Sequence, residues 1–200
     1  MITFSVKTDI DKAIRKLASV TEAQQLNFAV SKAINRTAMD VQAAVRQAMP
    51  QRFTLRSNWV VQGIRVEFSN KRKLEAIVYS RDRFMKLQEY GGVRHPFGNY
   101  LAIPTTLVRR TPRDKIRRAD TPKGLGDKAE VVTVGRRRYL ALKKRRRGRS
   151  GNELRLMYLL LPQASIQRRL GLIDDGLRVS RLNFSTRLRE ELAEAIARAR

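Results

Sequence analysis

Apolar and polar residues alternate at the start of the chain, where Ile2, Phe4 and Val6 are separated by Thr3, Ser5 and Lys7. That period of two predicts a half-buried strand, and Asp9 or Asp11 then offers the cap of a short helix running to about Val20. From Glu22 to Met49 the period changes. Leu26, Ala29, Val30, Ala33, Ile34, Thr37, Val41, Ala44, Val45 and Ala48 recur three or four apart, which predicts a long amphipathic helix of roughly 40 Å, ended by Pro50. Small residues along its seam allow a sheet or helix to approach closely. Phe28 and Met39 fall on the opposite side at nearly one azimuth, and the expectation is that this rear face packs against a neighbouring subunit.

Alternation returns at Ile64, Val66 and Phe68, and after the polar turn Asn70 to Lys73 it resumes at Leu74, Ala76 and Val78, a hairpin pattern. Phe84, Met85 and Leu87 suggest a helical turn closed by Gly91-Gly92, and Leu101 to Ile103 a strand bounded by Pro104. Thr111 to Glu130 has two prolines, two glycines and no clear period, so it reads as a long, mobile loop. Val131 to Val134, Arg138 to Leu142 and Leu154 to Leu161 read as three further strands, with Lys143 to Gly151 as a hairpin tip. Helical period reappears at Leu188, Leu192, Ala195, Ile196 and Ala199, with Ser185 as a plausible cap. The expected class is α+β: an antiparallel sheet packed by a long N-terminal helix and a C-terminal helix, with a basic loop and hairpin arm. Two hundred residues fit one domain, 1–200, with 109–149 as an excursion within it.

Charge changes this picture. Of the chain's net +25, residues 109–149 supply +13, from 17 Lys and Arg (12 of them Arg) against 4 Asp and Glu. The first 50 residues carry +3 and the last 29 carry +1, so basicity is local. The clusters are Arg109-Arg110, Arg117-Arg118, Arg136-Arg137-Arg138 and Lys143-Lys144-Arg145-Arg146-Arg147, with Arg149 beyond. Arg is preferred over Lys, and its planar fork of donors fits phosphate or carboxylate at two points. Such runs are often simply solvated. Solubility of a small domain, however, needs only about 2 to 8 net charges, so a polyanion or an acidic protein is the expected partner.

Catalytic chemistry finds little footing. His95 is the one histidine and lies among glycines and a proline, without a readable partner for proton transfer. With no cysteine, neither a disulfide framework nor a thiolate metal site is possible. Asp174 and Asp175 are adjacent, so on a helix they diverge by about 100° and read as a helix start rather than a catalytic pair. Gly124-Leu125-Gly126 lacks the rest of a phosphate-loop pattern. No enzyme activity, metal or cofactor is expected. Aromatic residues near the clusters are few, so base stacking is less expected than backbone contact, and no base-reading motif is visible. The longest apolar run, Leu156 to Pro162, is too short to span a bilayer, and Met1 to Asp11 lacks the apolar stretch of a secretory signal. The expectation is a soluble protein made in the cytoplasm.

At Ala33-Ile34-Asn35-Arg36-Thr37-Ala38 the chain resembles the lambda-type minor tail protein Z family of tailed bacteriophages, the tail completion proteins. The order of a short N-terminal strand, an Ala-rich helix, an Arg/Lys-rich middle with Gly135-Arg136-Arg137-Arg138 and Lys143 to Gly148, and a closing amphipathic helix is similar over most of the chain. The resemblance implies a virion protein at the head-proximal end of the tail, in rings around the DNA path, hexameric by family expectation. It also implies contact with tail terminator or tape-measure proteins, DNA in the lumen, and host cytoplasm as the place of assembly. Six copies would sum to roughly +150, which makes an anionic partner close to obligatory. The competing classes are a nucleic-acid-binding protein of ribosomal type, with basic extensions reaching into RNA, and a basic protein adaptor.

Overall fold

A computed structural model describes residues 2–7, 23–145 and 152–198. In chain order the elements are β1 (Ile2–Lys7), α1 (Ala23–Arg52), α2 (Trp59–Gln62), β2 (Ile64–Glu67), β3 (Glu75–Ser80), α3 (Met85–Tyr90), β4 (Gly92–Arg94) and β5 (Leu101–Pro104). After them come α4 (Pro122–Leu125), β6 (Ala129–Val134), β7 (Arg137–Arg145), β8 (Asn152–Leu161), β9 (Ala164–Ile166) and α5 (Leu172–Arg198). The fold is α+β, with antiparallel sheets, a long N-terminal helix and a C-terminal helix. The expected short helix before Val20 lies outside the described residues. The chain divides into two compact units, Met1–Gly91 with Gln167–Arg200, and Gly92–Ile166. The segment 109–149 lies within the second unit, which has its own sheet and core.

In the first unit the strands order β1-β3-β2, all antiparallel, with Ile2 and Ile64 both opposite Ser80 and Val6 opposite Ala76. The alternation read from sequence is the pleat itself: Ala76, Val78 and Ser80 are buried and their neighbours on β3 are not. Leu26, Ala29, Val30, Ala33, Ile34, Thr37, Ala38, Val41, Val45 and Met49 of α1 are buried, and most of this stripe forms one cluster with Ile2, Val6, Ile64 and Val78. Each branched side chain removed from water here contributes about 1.5–3 kcal/mol. Pro50 does not end α1. The helix runs on to Arg52, because a proline in the last turn deletes a single hydrogen bond while Arg52 is held by Asp175 at 2.7 Å and by the Leu170 carbonyl.

The hexapeptide 33–38 has a structural meaning residue by residue. Ala33, Ile34, Thr37 and Ala38 are fully buried. Asn35 accepts from the Ser69 N–H at 2.7 Å and donates to the Ser69 carbonyl at 3.2 Å, so it clamps the chain that leaves β2. Arg36 reaches across to Glu191 at 2.8 Å on α5.

Helix α5 begins at Leu172, thirteen residues before the expected cap at Ser185, which sits inside it. Its N-terminus is capped from a distance. The carboxylate of Glu89, 1% exposed, accepts the N–H groups of Leu172 at 2.9 Å and Ile173 at 3.1 Å. Asp174 and Asp175 do occupy the first turn, where a helix favours negative charge. The seam between α5 and α1 is partly ionic: buried Glu191 lies 2.6 Å from Lys32, Asp175 pairs with Arg52, and Arg187 pairs with Asp40 at 3.2 Å. The Lys32 ammonium is held above its ordinary pKa, chiefly by Glu191.

Replacing Glu89 with Ala leaves two helix N–H groups without acceptors, which costs about 1–3 kcal/mol each where such groups are buried. Urea unfolding of Glu89→Ala is expected to show a loss of that order, and Glu89→Gln, which keeps an acceptor, a smaller one.

Candidate functional site

The second unit is built on the sheet β5-β8-β7-β6, antiparallel throughout, with a register shift at Leu140/Ala141. Its core holds Val108, Leu125, Met157 and Tyr158, with Ile116, Leu140 and Leu142 packed against them. Strands β4 and β9 pair as a two-stranded ribbon, Gly92 opposite Ile166 and Arg94 opposite Ala164.

The expected loop 111–130 is instead a chain of fixed turns. Thr111 accepts from Asp114 and donates to Lys115, each at 2.8 Å, and Arg110 bridges to Ile116. The Thr121 hydroxyl caps α4 by accepting the Gly124 N–H at 3.1 Å, with Pro122 in the first turn. Leu125 is then buried at 5% exposure. Tyr158 donates to the Asp120 carbonyl at 2.6 Å; its burial, then the Asp120 charge, raises its pKa above the ordinary phenol value. Gly124 is obligatory here, since a Cβ would stand 2.0 Å from the Arg118 carbonyl oxygen. The Gly124-Leu125-Gly126 run is thus a turn device, and its spacing from Thr121-Pro122 was the available signal.

These elements place the basic side chains. Val134 pairs with Arg137 across a two-residue turn in which Gly135 has φ +60. A first central glycine with positive φ marks a type II′ hairpin, which matches strand twist. Arg136 is therefore at the tip, while Arg137 and Arg138 start β7 on alternate faces. All three are exposed and line a cleft of about 370 Å³ with Tyr100 and Leu159 to Pro162. Arg138 stacks over the Tyr100 ring at 5.6 Å and donates to its hydroxyl.

At the other end of β7, Lys143 lies opposite Leu154, Lys144 opposite Glu153 and Arg145 opposite Asn152. β6 begins only at the level of Leu142, and β5 pairs no further along β8 than Tyr158. Here, among the named strands, β7 and β8 pair only with each other, and the tip of the expected arm, residues 146–151, lies outside the described residues. Lys143 pairs with Glu130 at 2.7 Å. Arg146, Arg147 and Arg149 lie outside the described residues, as do the side-chain positions of Lys144 and Arg145.

Arg109, Arg117 and Arg118 are exposed in the turn region, and Arg110 is half-buried against Asp114 at 3.4 Å. The predicted residues therefore do not make one cluster. Arg138 and Lys143, five residues apart on a strand, stand roughly 17 Å from each other.

The charge balance separates the two units. Residues 92–166 contain 19 Lys and Arg against 5 Asp and Glu, and ion pairs with Asp114, Glu130 and Glu153 engage Arg110, Lys143 and Arg155. In the first unit, carboxylates and cations interlock along the two helices. Of the proposed interface residues, Phe28 is 45% and Met39 52% exposed, on the solvent side of α1 as expected. The Phe28 ring is flanked by the ammonium groups of Lys71 at 5.1 Å and Lys32 at 5.9 Å. His95 is exposed. Among the described residues, no three His, Asp or Glu converge as a metal site, and no helix is long and apolar enough to cross a membrane.

The arrangement defines an α+β protein carrying a basic insertion whose cations outnumber its own carboxylates. The model of the Family of unknown function DUF6441 matches residues 1–150, and the chain belongs to that family. No curated protein and no solved structure matches it.

Tyr158→Phe removes the hydroxyl that holds the Asp120 carbonyl, an interaction worth about 0.5–1.5 kcal/mol. Amide exchange is expected to accelerate in residues 117–125, which support Arg117 and Arg118, and to stay unchanged in α1.

Proposed function

We propose that this protein is a structural component of a tailed-phage virion, a tail completion or minor tail protein at the head-proximal end of the tail, where it assembles in a ring and supports head–tail joining and DNA passage. The observation that carries the reading is the net +14 of residues 92–166 set on an exposed hairpin turn and the β7–β8 hairpin. Guanidinium groups with so few carboxylates nearby repel one another, and seating a polyanion against them relieves that repulsion. The likeness of residues 33–38 and of the element order to the minor tail protein Z family supports the virion role. On this reading Arg136, Arg137, Arg138, Lys143 and their neighbours face DNA or an acidic tail protein, and Phe28 and Met39 meet the next subunit.

Phosphate contact is read through salt. Neutralising 6 to 10 phosphates lowers affinity roughly 10³- to 10⁵-fold between 50 and 200 mM salt. Duplex DNA binding by the full chain is expected to fall in that range. The triple change of Arg136, Arg137 and Arg138 to Gln is expected to reduce the log–log salt slope by up to about 3. A salt-independent association rejects the polyanion reading, and preference for structured RNA over duplex DNA favours the ribosomal-type alternative.

Assembly is read through mass. Phe28→Lys with Met39→Lys is expected to shift the light-scattering mass from oligomer to monomer with unchanged helical circular dichroism. An unaltered mass removes this face from the interface.

A further inference from the structure

Strand β6 is the last strand of its sheet, and among the described residues no strand lies beyond it. In an antiparallel edge strand alternate residues point their N–H and C=O groups outward. The Ala129 N–H donates to the Gly126 carbonyl, and the backbone of residues 130–134 has no backbone hydrogen bond to any described residue other than those of β7. Exposed edges are ordinarily blunted by Lys, Pro, bulges or short length. At the opposite edge of this sheet, β5 has four residues and carries Pro104. β2, an edge of the other sheet, carries Arg65 and Glu67. β6 has none of these devices: its sequence is Ala-Glu-Val-Val-Thr-Val, six residues long, and its only charge, Glu130, is paired to Lys143. Val131 is 58% and Val134 52% exposed.

We propose that the β6 edge is a strand-addition site for an extended acidic segment of another protein, which docks as a fifth strand. Two observations select that occupant. Alternating outward donors and acceptors are matched by another peptide backbone and not by a sugar–phosphate chain. The strand is also bracketed by exposed cations, Lys128 before it and Arg136 and Arg137 after it, so carboxylates at both ends of an added strand meet positive charge. A second copy of β6 is disfavoured by the same charges, since edge-to-edge pairing brings two units of net +14 together. The site shares Arg136 and Arg137 with the contacts of the proposed function and adds recognition through main-chain groups, which an N-methylated peptide reads independently of charge.

The test uses the full chain and an acetylated, amidated probe peptide, Asp-Glu-Val-Thr-Val-Glu-Asp. Binding is expected to slow amide exchange in residues 129–134. The same peptide with alternate amides N-methylated is expected to bind at least about tenfold more weakly, as loss of two or three hydrogen bonds requires. A version with Lys in place of its acidic residues is expected not to bind. Equal affinity of the methylated and parent peptides overturns the proposal, since it leaves only charge. So does β6 protection that appears without peptide as protein concentration and mass rise, which assigns the edge to a second copy. The pair Val131→Glu and Thr133→Glu, with its fold checked by circular dichroism, is expected to lose the parent peptide; retention also overturns the proposal.

Discussion

The buried carboxylate of Glu89 is the constraint on which the rest of the chain depends. A helix as long as α5 starts with N–H groups that need acceptors, and the residues just before Leu172 supply none. The acceptor arrives from α3, 83 residues earlier. The adjacent Gln88 carbonyl accepts the N–H groups of Arg169 and Leu170 at 2.7 and 2.8 Å, and Arg168 approaches Glu89 and Asp174. One short helix thus receives the chain when it comes back from the insertion. It aims α5 along α1, where Asp175, Glu191 and Asp40 find their cations. Removing both charges of such a pair together is often tolerated, whereas removing one strands the other. The carboxylates along the two helices of the first unit each have a cation, although 24 Lys and Arg against 13 Asp and Glu leave the unit at net +11.

The second unit has far fewer carboxylates for its cations, 5 against 19. Apart from the β6 edge, its sheet, its type II′ turn and the Thr121 cap pair the backbone internally, while its charge stays largely unpaired. Side-chain hydrogen bonds in the turn region come mostly from the neutral Thr111, Thr121 and Tyr158, with Arg110 to the Asp114 carbonyl as a charged one. Arg117, Arg118 and Arg136 to Arg138 are exposed on hydrogen-bonded turns and strand, with few carboxylates near them to cancel their field. Ordered cations bind at a lower entropic cost than cations on a floppy loop.

Where local pattern decides structure, the sequence reading succeeds. The pleat of β1 to β3, the seam of α1 and the hairpins of β6 to β8 are legible because burial on one face imposes a period. Two features were illegible for a common reason, that their cause is distant in sequence. The start of α5 depends on Glu89, and its first buried stripe includes Asp175 and Gly176, neither of which reads as apolar. The ordered turns of 111–128 depend on Tyr158 and on Leu125 entering a core shared with Met157. Identity of the basic residues was legible and their grouping was not, since strand alternation and the length of β7 separate Arg136 to Arg138 from Lys143. Charge counts reveal how much; only topology reveals where.

The ribbon of β4 and β9 has an architectural consequence. Because both crossings of the boundary run side by side, with Arg94 opposite Ala164, a tight two-residue loop suffices to join them. Residues 95–163 are then a cassette whose two ends lie together, so a segment of another length can replace them without drawing those ends apart.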